Sequence, residues 1–288
     1  MTGNQLGALL MMGSMAGFTF NDTLVKAVGG AMPLSQILTL RGIVTSVLIY
    51  ALARKMGALH WHLPRRDWGL IAARCGTEVA ATYLFLTALM VTPIANLTAI
   101  LQALPLTITL GAAVFFGEPV GWRRLTAILV GFVGILLIVR PDVDGFGEGT
   151  LYALGAVVAI TGRDLLTRRM SPEVPSLVVT LLASLSVLVF AVLMSTQVTW
   201  QPVSLNSLAA VVGAALFIFV GYLCSVMTMR VGDVAFISPF RYTGLLWALL
   251  LGWLVFGDWP DALTLLGAMI VVATGLFTLY RERQVSDA

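Results

Sequence analysis

Charge is what this chain has least of. Asp, Glu, Lys and Arg make up 11% of its 288 residues, against roughly 25% in a soluble chain of similar size. Too few charged side chains remain to coat a water-facing surface, so two soluble domains are excluded. Cysteine is equally sparse: Cys75 and Cys224 both sit in hydrophobic stretches, away from any second Cys or His at ligand spacing. That excludes a disulfide framework and a zinc site. The first 25 residues contain no Lys or Arg, so the opening hydrophobic segment reads as a retained helix rather than a cleaved signal peptide. There is no G-x-S-x-G, acidic D-D-x-x-D motif or nucleotide P-loop, so ATP on this chain does not drive its work. His62 to Asp67 has an H-x4-D spacing, but it occupies a short Pro- and Arg-containing connection with no domain around it.

Apolar residues are abundant: 59% of the chain is hydrophobic, and the mean hydropathy is +0.95. They come in runs long enough to cross a bilayer, which needs about 20 apolar residues per helix. Charged and Pro/Gly-rich turns separate spans near 5–27, 33–53, 68–91, 93–116 and 122–139, then 149–169, 175–195, 207–229, 234–256 and 261–280. The expectation is therefore an all-α integral membrane protein of ten transmembrane helices. About 80 residues are left for nine connections and two tails, too few for a water-soluble domain. The net charge of +3 is spread over all these segments, forms no dense basic face and so excludes nucleic acid as a partner.

Positive charge is retained on the cytoplasmic side during insertion. With the N-terminus inside, the cytoplasmic turns hold Arg54, Lys55, Arg65, Arg66, Arg123, Arg124, Arg168, Arg169, Arg230, Arg281 and Arg283, against Lys26 and Arg140 on the opposite side. Asp142, Asp144, Glu148, Asp258 and Asp261 also fall on that opposite side. Both termini are expected in the cytoplasm, with the chain multi-pass in a bacterial inner membrane.

Shifting the chain on itself by 142 places Asp22 on Asp164, Lys26 on Arg168 and Pro33 on Pro175. A shift of 140 superposes Ala95 on Ala235, and Phe116-Gly117-Glu118 on Phe256-Gly257-Asp258; a shift of 141 places Gly134 on Gly275 and Arg140 on Arg281. The halves, 1–140 and 141–288, thus read as two copies. Each has five spans, an odd number, so the second copy must enter the bilayer from the other side. Inverted repeats of this kind characterise carriers that alternate access around a midplane site.

These residues resemble the drug/metabolite transporter superfamily in its ten-helix EamA-type branch, over nearly the whole chain. The resemblance is carried in order by Phe20-Asn21, Lys26, Pro33, Arg41, Ala95, Pro105, Glu118 and Gly134, and in the second half by the run from Gly149 to Arg168-Arg169. Leu245 stands where the family usually repeats the proline of Pro105, Asp258 replaces the usual Glu, and the sixth span has no Trp; these departures leave the substrate open. The resemblance implies a secondary carrier of small organic metabolites, exporting more often than importing, with no cofactor.

Polar residues inside the spans are the site candidates, because a charge at the bilayer centre costs about 2.5 to 3.5 kcal/mol on insertion scales. At about 1.5 Å per residue, Glu78 lies about 15 Å from its span's start, and Arg41 and Arg241 roughly 10 to 12 Å from theirs. Arg74 and Glu78 are spaced i,i+4 and read either as mutual neutralisers or as substrate contacts. Arg41 reads as a pin for the second helix, and Asp164 with Arg168 as an inner-end ion pair. Asn21, Asp22, Lys26, Arg163 and Asp164 lie nearer span ends, and Asn21, Asp22, Lys26 and Asp164, with Arg41, Pro105 and Pro239, read as structural or gating residues. Pro239 frees the carbonyl of Ala235 and bends the ninth span, which makes Arg241 and Tyr242 a candidate cavity wall. Pro105 likewise releases the carbonyl of Leu101, with Gln102 beside it. Tyr83 and Tyr222 offer a ring and a hydroxyl to an amphiphilic solute. Trp61, Trp68, Trp200 and Trp259 read as interface anchors, and Gly13 with Gly17 as a close-packing pair.

Four cations (Arg41, Arg74, Arg163, Arg241) against three acids (Asp22, Glu78, Asp164) suit a zwitterion or weak anion resembling an amino acid. Membrane lipid is the surrounding partner. Glu78, the deepest acid, is the candidate proton-coupling residue. An uncoupled facilitator is the runner-up, and a polytopic lipid-modifying enzyme is the alternative from another class.

Overall fold

The computed structural model describes residues 3–61, 63–117, 121–140, 147–228, 231 and 237–286. His62, Glu118, Asp142, Asp144, Arg230 and Ala235 fall outside these residues. Among the described residues the chain is all helix, with no strand. The helices are α1 (Gly3–Val28), α2 (Leu34–Lys55), α3 (Arg65–Val91), α4 (Ile94–Leu101), α5 (Leu104–Phe116), α6 (Trp122–Val139), α7 (Glu148–Arg168), α8 (Ser176–Ser195) and α9 (Leu205–Thr228). A 3-10 segment (Ser238–Tyr242), α10 (Thr243–Leu251), a π-helical turn (Gly252–Phe256) and α11 (Ala262–Ser286) follow. Among the described residues six stretches are long and apolar enough to cross a membrane: Leu34–Lys55, Ile94–Phe116, Glu148–Arg168, Ser176–Ser195, Leu205–Ser225 and Pro239–Phe256. Leu125–Val139 and Ala262–Thr278 are shorter apolar helices.

Proline decides several boundaries. Pro33, Pro64, Pro93 and Pro175 each stand just before a helix, where the missing N–H costs no intrahelical bond. Inside the fourth span Pro105 does more: it cannot donate to the Leu101 carbonyl, and the expected single helix over 93–116 is instead α4 and α5, divided at Gln102-Ala103. The ninth span is similarly broken, with Pro239 opening the 3-10 segment.

Packing pairs α1 with α9, α3 with α7, α2 with α8 and α6 with α11. All four pairs run antiparallel. Gly17 lies against Phe217 and Gly221, while Gly13, nearer the start of α1, meets Cys224, farther along α9. Ser46 bonds Ser184 at 2.8 Å and Thr39 bonds Ser195 at 3.3 Å across α2 and α8. Gly134 meets Gly267, and Gly131 meets Thr274, across α6 and α11. Lipid tails are as apolar as leucine, so hydrophobicity does not drive helices together; small residues that let backbones approach do. A Cβ at Gly17 would lie 2.8 Å from the Phe217 carbonyl oxygen, and one at Gly134 would lie 2.9 Å from the Gly267 carbonyl oxygen. The Ser14 hydroxyl bonds the Gly221 carbonyl at 2.8 Å in the same α1–α9 seam.

One polar clasp closes the α6–α11 pair. Asp261, in the connection before α11, accepts the Thr264 N–H at 2.8 Å and pairs with Arg140, the residue after α6. The Thr264 hydrogen bond first, and then Arg140, hold the Asp261 carboxyl below its ordinary value of 3.8.

Gly17→Ala and Gly134→Ala are expected to lower thermal stability in detergent by about 1–3 kcal/mol each, because the atom met is backbone and cannot turn aside; unchanged melting would remove the close approach. For Asp261 the folded pKa lies below the unfolded one, so its contribution is present above pH 3.8 and fades as pH falls through the lowered value. The melting-temperature advantage of the parent over Asp261→Ala should therefore persist at neutral pH and vanish in strong acid. An advantage that grows on acidification contradicts the clasp.

Candidate functional site

The polar residues buried in the bundle are drawn together where α1, α2, α3, α7 and α9 meet. On α3, Arg74 and Glu78 stand one turn apart, and the Arg74 guanidinium lies 3.3 Å from Glu78 Oε2. From α7, Arg163 Nη1 reaches Glu78 Oε1 at 3.5 Å, and its Nε donates to Asp164 Oδ1 at 2.9 Å. Arg74 Nε also donates to the Thr167 hydroxyl at 3.2 Å. Glu78 is 8% exposed and holds two cations, one from each half of the chain.

A second group stands between α1 and α2. Asn21 Nδ2 donates to Asp22 Oδ1 at 2.8 Å, and Asn21 Oδ1 accepts from Arg41 Nη1 at 2.9 Å. Asn21 is 2% and Arg41 7% exposed. Arg41, expected to bond neighbouring carbonyls, instead meets α1 through the side-chain amide of Asn21. Tyr222 on α9 lies within electrostatic reach of Glu78, Arg163, Arg41 and Arg74, which links the two groups. An aromatic wall flanks them: Phe18 meets Tyr222 edge-on at 5.4 Å, and Phe20 stacks on Phe217 at 4.9 Å and tilts against Trp247 at 6.1 Å.

The cluster therefore sets Arg41, Arg74 and Arg163 against Asp22, Glu78 and Asp164, three basic and three acidic side chains. Arg241, counted with them from the sequence, is exposed on the 3-10 segment and makes no hydrogen bond or ion pair among the described residues. Tyr242 is 7% exposed and packs its ring against Gly275 of α11, its hydroxyl without a hydrogen-bond partner among the described residues. Tyr83 packs edge-on against Phe190 at 5.9 Å, tying α3 to α8. Gln102 is buried at the α4–α5 break. Asp164 bonds its neighbour Arg163, while Arg168 lies over the ring of Phe116.

Arg74 Nη1 is buried with no hydrogen-bond partner among the described residues. A guanidinium with a spare donor beside a compensated carboxylate can accept one more acceptor group, such as a substrate carboxylate. No group of His, Cys, Asp or Glu able to hold a metal occurs among the described residues.

Two contacts escaped the sequence reading. Gln36 is fully buried, and its side-chain amide both donates to the Gln201 carbonyl at 2.9 Å and accepts the Gln201 N–H at 3.0 Å. Asp67 is fully buried, takes the Ser171 N–H at 3.2 Å on Oδ1, and has no hydrogen-bond partner for Oδ2 among the described residues. The signal for both was a polar residue at the opening of an apolar helix, where water was the default partner.

A helical bundle of apolar spans around a compensated charge cluster defines a multi-pass membrane protein. The model of the EamA-like transporter family matches residues 5–140 and again 147–280. The chain belongs to that family, a branch of the drug/metabolite transporters, and carries two copies of its repeat. It is similar to the riboflavin transporter of Vibrio cholerae serotype O1, 26% identical over 97% of this chain and 95% of that one. The pseudopaline exporter of Pseudomonas aeruginosa is 24% identical, covering 91% of this chain and 93% of its own length. The S-adenosylmethionine uptake transporter of Rickettsia conorii is 23% identical over 69% of this chain and 67% of that protein. A solved crystal structure, 19% identical, covers 96% of this chain and 98% of its own with a TM-score of 0.63, which supports the fold. The family and these relatives are transporters, not enzymes.

Glu78→Gln leaves Arg74 without an ion pair and Arg163 with Asp164 alone, whereas Arg74→Gln leaves Glu78 paired with Arg163. Loss of a buried charge partner costs about 3–5 kcal/mol, so Glu78→Gln should lower the melting temperature in detergent more than Arg74→Gln. The reverse order would show that Glu78 is not the hub of the cluster.

Proposed function

We propose that this transporter is a secondary carrier, moving an amino-acid-like zwitterion or weak anion outward across a bacterial inner membrane. In this reading it has ten spans with both termini cytoplasmic and alternates access between two inverted halves, 1–140 and 141–288. The observation that carries the proposal is the balanced cluster of three cations and three acids shared by both halves, with a spare donor on Arg74. A solute with both an anionic and a cationic group can exchange partners with such a cluster without leaving a net buried charge. Among the candidates, Arg74, Glu78, Arg163 and Tyr222 are assigned to substrate contact, and Asn21, Asp22, Arg41 and Asp164 to holding them in place. Tyr83, Gln102, Arg241 and Tyr242 are kept as outer contacts, with Pro105 and Pro239 as the breaks that let spans four and nine bend.

The helix pairings support inversion. Exchanging each helix for its counterpart in the other half turns the α1–α9 contact into α7–α3, and leaves α2–α8 and α6–α11 unchanged. Those last two join counterparts, and counterparts that cross antiparallel are what an inverted repeat requires.

Two energetic readings differ at Glu78. A carrier driven by a pH gradient needs a carboxyl that gains and loses a proton as its exposure changes, and Glu78 is the acid held between both halves. An uncoupled facilitator is favoured by the two guanidinium groups paired with Glu78, from Arg74 and Arg163.

A thermal-shift panel of amino acids, S-adenosylmethionine and riboflavin, followed by radiolabelled counterflow in protein-only liposomes, tests the proposal. A zwitterion should stabilise the parent, exchange across the liposome membrane and fail with Arg163→Gln. Exchange of riboflavin alone would overturn the substrate class. In Glu78→Gln, a proton-coupled carrier loses gradient-driven transport and keeps exchange at equal pH; gradient-driven transport that persists makes Glu78 a counter-ion.

A further inference from the structure

Phe116 and Phe256 each end a helical run, and each is followed by a glycine in the left-handed region, Gly117 at φ 69° and Gly257 at φ 70°. Each ring has a cation over it. Lys26 Nζ, at the end of α1, stands 5.5 Å from the Phe256 centroid; the guanidinium carbons of Arg168 and Arg169, at the end of α7, stand 6.0 and 4.7 Å from that of Phe116. The aromatic residues are 140 positions apart and Lys26 and Arg168 are 142 apart, so one contact is built twice from matching residues.

The two contacts lie at opposite ends of the bundle. Gly149, at the start of α7, sits beside Thr92 just past the end of α3, and Arg74 near the start of α3 bonds Thr167 near the end of α7. Lys26 also donates to the carbonyls of Leu89 (3.0 Å) and Thr92, which places it at the Thr92 end. Arg168 is thus a helix length away, about 30 Å. Each contact also uses carbonyls near a helix C-terminus: Lys26 takes those of Leu89 and Thr92, and Arg169 reaches the Phe115 carbonyl at 3.5 Å. Such carbonyls carry partial negative charge and welcome a cation.

These contacts differ in kind from the glycine seams. A seam such as Gly17 on the Phe217 carbonyl sets side-chain-free backbone against backbone and has no substitute partner. A cation leaving an aromatic face and helix-end carbonyls exchanges them for water at modest cost. Joints that separate once per cycle need that property, and seams that keep two helices moving as one body need the other.

We propose that the two cation–aromatic contacts are the opposing gates of the carrier: Lys26 on Phe256 closes one mouth, Arg168 and Arg169 on Phe116 close the other, and they open in turn. The proposal rests on the alternating-access reading above, and assigns that motion to named residues.

Hydrogen–deuterium exchange of the full chain in lipid nanodiscs tests it without a substrate. Phe256→Leu keeps apolar volume and removes the aromatic face. It should speed exchange at 89–92 and 252–257 roughly threefold and slow it at 113–117 and 165–170; Phe116→Leu should do the reverse. Phe256→Tyr, which retains the ring, should match the parent. Lys26→Gln removes the cation instead of the ring and should reproduce Phe256→Leu, which keeps the test decisive should the leucine variant melt. Faster exchange at a variant's own end alone, at both ends or at neither overturns the gating assignment. Alternating access itself is judged by the counterflow of the parent protein, so the two can fail separately.

Discussion

Inside a bilayer no water is at hand to solvate a charge, and this constraint organises the protein. Every deep ionisable group must be paired, hydrogen-bonded or led to an interface. Three basic and three acidic side chains from α1, α2, α3 and α7 find partners inside the bundle, with Glu78 between Arg74 and Arg163 and Asn21 between Arg41 and Asp22. Helices from the two halves are thereby bound by charge compensation, Arg163 of α7 on Glu78 of α3. A polar solute can enter such a region because it supplies the same kinds of group that it displaces.

The helices around this region are held by close approach rather than by exclusion of apolar surface. Leu205, Val158 and Val114 are at least 70% exposed, as lipid-facing residues on the outside of a bundle should be. Cohesion comes from Gly17, Gly134 and Gly267, where backbones approach, and from short hydroxyl bonds such as Ser46 to Ser184 and Thr107 to Thr161 at 2.7 Å. Where the chain needs to bend, Pro105 and Pro239 interrupt the ladder. Rigid antiparallel pairs, two broken spans and water-exchangeable cation contacts at both ends make a molecule with firm parts and soft joints.

Local features were legible in the sequence because their determinants are local. Helical regions start and stop within a few residues of the expected limits, since apolar run length, Pro at the openings and charged or glycine-rich turns set them. The i,i+4 pair of Arg74 and Glu78 follows from helix geometry alone. The closeness of Gly17 to α9 follows from the missing side chain, although which helix it meets does not. Family membership was also readable, from an ordered set of residues spread over both halves.

Partners across the bundle were not readable, because they depend on which helices adjoin and how each is rotated. Nothing near Glu78 in the chain announces Arg163, 85 positions away, and nothing near Lys26 announces the carbonyls of Leu89 and Thr92. Depth along a span counted Arg241 with the buried cations, yet depth says nothing of rotation, and the 3-10 segment turns Arg241 outward while burying Tyr242 on Gly275. The sequence by itself determined a membrane solvent, the helical regions, the repeat offset and the polar residues that must find partners. Tertiary structure alone decided the pairings, because charge compensation without water acts across space between helices that share no sequence neighbourhood.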